Sequence, residues 1–541
     1  MRLFLLNFAS VIKKHNIMRG KIRLMLMALV LVSCSGKGID PDDVSASTDS
    51  RNLSHEKIVL GARLENPYKT ENITKALDVL YPTKADRVDV RTTDLYVRFL
   101  PKTEEQLAVL EGLNLKMMDH PLDYEILEDG DWYHDPEIPD DRITWQYTVV
   151  PHDFVFPEME YEIIDECHIS DNDTGTRTED GIDWEAVERQ AYVMTGNSEY
   201  LLPDTKAEKV CPSGRIMILD EKADGGKPVG VRGVRVSCNS FVKFAHAYTD
   251  EDGYYKMEKK FSAKLRYRLV FENSKGFSIG FNLILVPAST STLGKGSPDG
   301  VNVIISKESE SKLFKRCAVN NAAYDYYSRC SSGDLGINPP PKDNRIWIFH
   351  KLKASSALMM HHGAIIDMSI VSSFLGDFAP LIRLFLPDIT LGLKGMDDYA
   401  SIYAETCHEL AHASHFSKVG TGYWNKYILY VLGSYISTGG MTYGDGSGMN
   451  AGHCEIGEMW AYYLSSKMYY ERYGGTYPVF GTSHWFYPQI FRYVEELGLT
   501  CNSMFSLLNE SVTSRDALKR AMISMYPDKS DEIELIFNRY M

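Results

Sequence analysis

The sequence predicts a multidomain chain. An α+β N-terminal domain comes first, a β-sandwich follows, and a mainly α-helical body with a small edge sheet ends it. Three observations carry that expectation. At 541 residues the chain exceeds what one hydrophobic core organises, and 44% hydrophobic with 11% aromatic content supplies several cores. From about Cys211 to Val303, short alternating apolar runs are punctuated by glycines, the pattern of half-buried strands joined by tight turns. Beyond Glu308 the apolar positions recur at helical spacing over long stretches.

The first segment, 1–33, reads as an export signal. From Met18, the cations Arg19, Lys21 and Arg23 precede the short apolar run Leu24 to Val32, too short to span a membrane. Leu31-Val32-Ser33-Cys34 resembles a bacterial lipobox, which implies cleavage before Cys34 and lipidation of its sulfur. Residues 34–54, rich in Ser, Gly, Asp and Pro, read as a flexible tether. Asp42-Asp43 resembles signals that send lipoproteins to the cell surface. The expected location is therefore the outer membrane or cell surface of a Gram-negative bacterium, held through the lipid at Cys34, with a periplasm-facing placement left open. Eight further cysteines show no CxxC pair, so a zinc ribbon is not expected, and their pairing is not deducible.

Residues 55–206 read as the α+β domain. Asp94–Leu100 alternates as a strand, Thr103-Glu104-Glu105-Gln106 is a capping box opening a helix that Gly112 ends, and Leu113–Met118 reads as a second strand. The role of this domain is open. Residues 210–305 read as the sandwich. Gly214–Ile218, Gly233–Val236, Thr249–Tyr255 and Leu265–Leu269 follow in order, and Asp-Gly before aromatic residues is hairpin chemistry. These motifs resemble the carboxypeptidase regulatory-like domain, an Ig-like β-sandwich. That resemblance implies a module without catalytic groups.

Residues 308–541 read as the catalytic domain. Lys312–Cys330 is expected as an amphipathic helix, Pro339-Pro340-Pro341 as a break, and Arg345–Phe349 as a strand. Asp397-Asp398 then offer N-caps for a helix that meets no glycine or proline until Gly420. This helix carries His408-Glu409-Leu410-Ala411-His412. Residues four apart share one helical face, so both imidazoles can reach one metal ion while Glu409 faces its water, the spacing of zinc-dependent peptide hydrolysis. The extended metzincin pattern would need glycine at 415 and histidine at 418, and the chain has His415 and Lys418.

A third ligand is expected from the helix His453–Tyr473, which Gly474-Gly475 ends. Glu455, Glu458 and Tyr462 share one face of it. Glu458-Met459-Trp460-Ala461-Tyr462-Tyr463 resembles the Glu-Gly-Phe-Ala-x-Tyr string of gluzincin peptidases, which supply their third zinc ligand from a second helix. The resemblance implies a zincin-type fold, one Zn2+ held by His408, His412 and Glu458 (Glu455 being the alternative), and Glu409 as the general base of a zinc-activated water. Tyr443, Tyr462 and His484 are the candidates for oxyanion stabilisation, and the sequence does not choose among them. Ile389–Gly392 is expected as the edge strand along which an extended substrate lies. His361 and His362, being adjacent, read as ordinary polar residues rather than a second chelate.

A net charge of −15 and a pI near 5.5 argue against nucleic-acid partners. The expectation is a lipid-anchored, exported zinc metallopeptidase acting on peptides or proteins, glycoproteins among them. The rival is a non-catalytic surface lipoprotein binding glycan or protein, with a vestigial metal site.

Overall fold

The computed structural model describes residues 57–540 except 84–87, 114, 140–141, 173–180, 203–209, 281–287, 309–310, 351–352, 365–386 and 439–440. The signal 1–33, the tether 34–54 and Cys34 lie outside the described residues. The chain mixes helices with several sheets, as a multidomain α+β protein does.

The N-terminal region runs β1 (Val59–Arg63), α1 (Thr70–Leu80), β2 (Asp94–Leu100), α2 (Glu104–Gly112), β3 (Tyr124–Glu128), β4 (Gln146–Pro151), β5 (Glu160–Cys167) and α3 (Trp184–Met194). Strand β2 is central, antiparallel to β4 on one side and β5 on the other, while β1 and β3 form a separate pair. Half of the capping box is present: Gln106 N donates to Thr103 Oγ1 at 3.3 Å, but Gln106 Oε1 accepts from Lys102 N at 2.8 Å, one residue before the cap. The described residues of 113–118, however, form no strand. Both edges of β2 are taken, and Met118 makes only a single bridge to Tyr147 on β4.

The region expected as a sandwich, hereafter the sandwich, comprises β6 (Ser213–Leu219), β7 (Pro228–Gly230), β8 (Val234–Ser240), β9 (Lys243–Tyr248), β10 (Tyr254–Lys256), β11 (Leu265–Asn273), β12 (Phe277–Ile279), β13 (Thr290–Gly296) and β14 (Val303–Ile305). In one sheet β14 runs parallel to β6, while β10 and β7 pair with successive halves of it. In the other the order is β9-β8-β11-β13, all antiparallel. The turn before β10 is built by Asp250, whose Oδ1 accepts from Asp252 N and Tyr254 N at 2.9 and 2.8 Å. Gly253 follows at φ +72°, where a Cβ would lie 2.2 Å from the Ile216 carbonyl oxygen, so only glycine fits.

The last region holds α4 (Ser311–Ser331), β15 (Asn344–Phe349), β16 (Ser356–Ala357), β17 (Ile389–Gly392), α5 (Tyr399–Thr438), α6 (Ala451–Tyr473), α7 (Gln489–Glu496), α8 (Cys501–Leu507), α9 (Arg515–Met525) and α10 (Ser530–Asn538). Two expectations fail here. Strand β17 is not an edge: it pairs in parallel with β15 and is covered on its other side by β16, which is antiparallel to it. All four of its residues are buried. Nor is α4 amphipathic in effect, because Lys315, Arg316, Asn320 and Asn321 are buried along with its apolar residues. Lys315 Nζ donates to the Leu393 carbonyl at 2.9 Å, and Asn320 and Asn321 bond the carbonyls of Arg232 and Gly230 at 2.9 and 2.8 Å. The helix is wedged between the sandwich and α5, and its polar side chains satisfy the backbone of its neighbours.

The same sharing continues in the sheets. Strand β12 pairs with β11 through Glu272↔Ser278 and, on its other side, in parallel with β15 from Phe277↔Asn344 to Ile279↔Ile346, so that β9, β8 and β11 share one sheet with β15, β17 and β16. A single apolar cluster runs from Ile216 in β6 to Phe537 in α10. Asp220, fully buried just after β6, accepts from Arg472 Nη2 at 2.8 Å and from the Tyr473 hydroxyl at 3.1 Å, both at the end of α6.

The N-terminal region docks differently. Tyr68, Tyr147 and Tyr192 share a smaller cluster with Phe241, Val242 and Ala263 of the sandwich. Lys243, wholly buried, pairs with Asp171 at 2.7 Å and Glu188 at 3.4 Å. Beside them Arg268 Nη2 lies 2.9 Å from His120 Nε2, while His120 Nδ1 lies 2.8 Å from Asp119 Oδ1. Guanidinium has no acceptor. The His120 ring must therefore be neutral, with its proton on Nδ1 facing Asp119. Burial, then the Arg268 charge, push its pKa down to about 4.

Candidate metal centre

Helix α5 opens at Asp398, whose Oδ1 accepts from Ser401 N at 2.9 Å and whose Oδ2 accepts from the Ser401 hydroxyl at 2.6 Å. Capped in this way, the helix runs unbroken past His408, Glu409 and His412 to Gly420. There φ +72° and ψ −179° break the helical path, and the chain re-enters a helix that carries Trp424 and Tyr427. The second half folds back under the first: the His412 ring lies 5.7 Å from both Trp424 and Tyr427. Helix α6 crosses against this pair and delivers Glu458.

His408, His412 and Glu458 converge as a group that could hold a metal ion, and no other such group occurs among the described residues. His408 Nε2 and His412 Nε2 are 3.2 Å apart, Glu458 Oε2 is 3.5 Å from the former, and Oε1 is 3.5 Å from the latter. For donors at about 2.0–2.1 Å from a tetrahedral ion, neighbouring donors should lie about 3.3–3.4 Å apart. The two nitrogens and the carboxylate oxygen nearest each of them keep spacings close to that, and one donor atom from each residue lies within 4.8 Å of the others. In addition, Glu458 Oε2 is buried without a hydrogen-bond partner, as expected of an atom waiting for a cation. Donor chemistry (two imidazoles and one carboxylate) suits zinc among other transition metals.

The electrostatics fit the same picture. Burial works against a charged Glu458 carboxyl, but His412 and His408 beside it outweigh burial and hold its pKa well below the carboxylate range. Burial lowers the His412 pKa, against the pull of Glu458. Glu409, at 0% exposure, follows His408 on the same turn of α5.

Of the three donors only His408 keeps solvent exposure, 4%. Solvent therefore meets the centre from the His408 side. The Tyr462 ring packs there, 4.3 Å from His408, and His484 lies 6.3 Å from Tyr462, with Tyr443 4.8 Å from His484. All three oxyanion candidates thus form one aromatic wall, with Tyr462 nearest. Burial lowers the His484 pKa, which keeps that ring neutral near pH 7. Gly481, at φ +77°, leaves the room Tyr462 occupies, since a Cβ would stand 2.4 Å from its ring.

Glu455 is elsewhere. Its carboxylate meets Arg515 Nε at 3.1 Å and Arg515 N at 3.3 Å, at the start of α9, so the alternative third ligand is instead an ion-paired helix clamp. His362 Nδ1 lies 2.9 Å from buried Asp388 and its Nε2 2.8 Å from the Lys342 carbonyl, and the His361 ring stands at 86° to it. The described cysteines are free thiols. Cys407 is fully buried beside the motif and is not among the ligands. Sequence reasoning missed Tyr427, whose hydroxyl donates to Glu458 Oε1 at 2.6 Å. Its apolar helical surroundings marked it only as core.

No protein-family model, curated protein or solved structure matches the chain. Among the described residues no helix is long and apolar enough to cross a membrane.

Proposed function

We propose that the chain is an exported, lipid-anchored zinc metallopeptidase of gluzincin type. The observation that supports this best is the convergence of His408, His412 and Glu458 as a buried group able to hold one metal ion, with Glu409 on the same helix turn. A bound zinc ion supplies Lewis acidity, polarising a peptide carbonyl and acidifying water. The chain's own groups supply the rest. Glu409 takes the proton from the attacking water and passes it to the departing amine nitrogen. Tyr462 and His484, on the solvent side of His408, orient the carbonyl and stabilise charge on its oxygen. Burial of the remaining donors excludes bulk water and strengthens these interactions. Substrates are peptides or proteins, and lipid at Cys34 holds the enzyme at a membrane surface.

The test measures bound zinc by elemental analysis and cleavage of a peptide mixture, for the wild type, Glu409→Gln, Glu458→Ala and Glu455→Ala. Glu409→Gln should keep zinc and lose about 10²–10⁴-fold in turnover. Glu458→Ala should lose zinc, and Glu455→Ala should keep it. A wild type that takes up no zinc, or a Glu409→Gln variant cleaving at the wild-type rate, refutes the proposal.

A further inference from the structure

We infer that Tyr427 is a positioning residue for the metal centre: its phenol holds Glu458 Oε1 so that the carboxylate presents only Oε2 to the ion. This rests on His408, His412 and Glu458 being a metal site. A glutamate ligand has two equivalent oxygens and can bind through one or both, and the choice decides how many positions remain open. In this protein the two oxygens are not equivalent. Each lies 3.5 Å from one imidazole nitrogen, Oε1 from His412 and Oε2 from His408, but Oε1 also accepts a 2.6 Å hydrogen bond from the Tyr427 hydroxyl, whereas Oε2 is buried with no hydrogen-bond partner. A phenol 2.6 Å from Oε1 occupies one of its lone pairs and fixes the carboxylate plane.

Tyr427 is itself rigidly held. It is buried at 1% exposure, packed 4.8 Å from Trp424 and 5.7 Å from His412. Its helix stands where it does because Gly420 turns the chain between His412 and Trp424. One hydroxyl thus ties the ligand of α6 to the helix that carries both histidines. Losing it frees the carboxylate to rotate or to bind through both oxygens, which fills a position that chemistry needs open. Such supporting hydrogen bonds typically govern metal affinity by about 10–100-fold.

The experiment uses the full chain, loaded with Zn2+ or with Co2+ as a spectroscopic stand-in. Zinc affinity is read by competition with a chromophoric chelator, and cobalt coordination by the intensity of the visible ligand-field bands, strong for four-coordinate and weak for higher coordination. The wild type should give the strong four-coordinate spectrum. Tyr427→Phe should bind zinc about 10–100-fold more weakly, with cobalt bands weakened towards higher coordination. Wild-type affinity and spectrum in Tyr427→Phe would overturn the inference while leaving the metal site standing. A weak, six-coordinate cobalt spectrum in the wild type would overturn it without recourse to any variant. A wild type that binds neither ion removes the site itself, and with it both proposals.

Discussion

Replacing His120 by glutamine should flatten the acid sensitivity of this protein. In the native fold His120 is neutral, accepts from Arg268, and is buried at the seam between the N-terminal region and the sandwich. Its pKa falls from 6.5 to about 4, through burial first and the Arg268 charge second. Between those values the unfolded chain binds a proton that the folded chain refuses. Stability therefore rises with pH across this window and is lost as pH drops through it. A gap of about 2.5 units, at about 1.4 kcal/mol per unit, amounts to about 3 kcal/mol lost between pH 6.5 and pH 4. Glutamine keeps an acceptor for Arg268 and an amide for Asp119 but does not titrate. Calorimetric melting at pH 7, 5.5 and 4 checks this. The wild type should lose more melting temperature on acidification than His120→Gln does, while the two should melt nearer each other at pH 4 than at pH 7. Parallel pH profiles would refute the reasoning, since other buried histidines titrate equally in both proteins.

Two further outcomes are expected. Gly420→Ala forces a side chain onto φ +72°, ψ −179°, a conformation that is essentially glycine's alone, and should cost about 1–3 kcal/mol in urea unfolding even though nothing lies within 4 Å of the new Cβ. Asp220→Ala strands the Arg472 guanidinium against Tyr399, Tyr403 and Tyr473, and should cost about 3 kcal/mol or more, read as a lower melting temperature of the sandwich and helical region together.

Much of the candidate site was legible because it is written in local periodicity. The four-residue spacing of His408 and His412, the Asp398 cap and the break at Gly420 all act within a few turns of one helix. Glu458 needed a second helix, yet its string and its face could be read without knowing how the helices cross. Tyr427 could not be found that way. Its role depends on α5 folding back at Gly420 and on α6 lying against the fold, and an apolar helix offers no local sign of such a contact. The same limit explains the errors at Leu113–Met118 and Ile389–Gly392. Each has strand-like composition, but whether a β-prone segment joins a sheet, and at its edge or inside, is decided by which edges remain free. Helix α4 misled in the opposite sense. Its lysine, arginine and asparagines suggested a wet face, whereas carbonyls of distant strands and loops accept their hydrogen bonds.

The ladder from Phe277–Ile279 to Asn344–Phe349 sets the limits of modularity in this molecule. Excising the sandwich would strip the neighbouring strand of its amide partners and open the apolar interior beneath it. The two regions should open as one cooperative foldon, so protection of their amide protons against exchange with solvent is gained or lost jointly. The N-terminal region is not freely exchangeable either, since its loss would leave Lys243 and Arg268 buried without Asp171, Glu188 and His120.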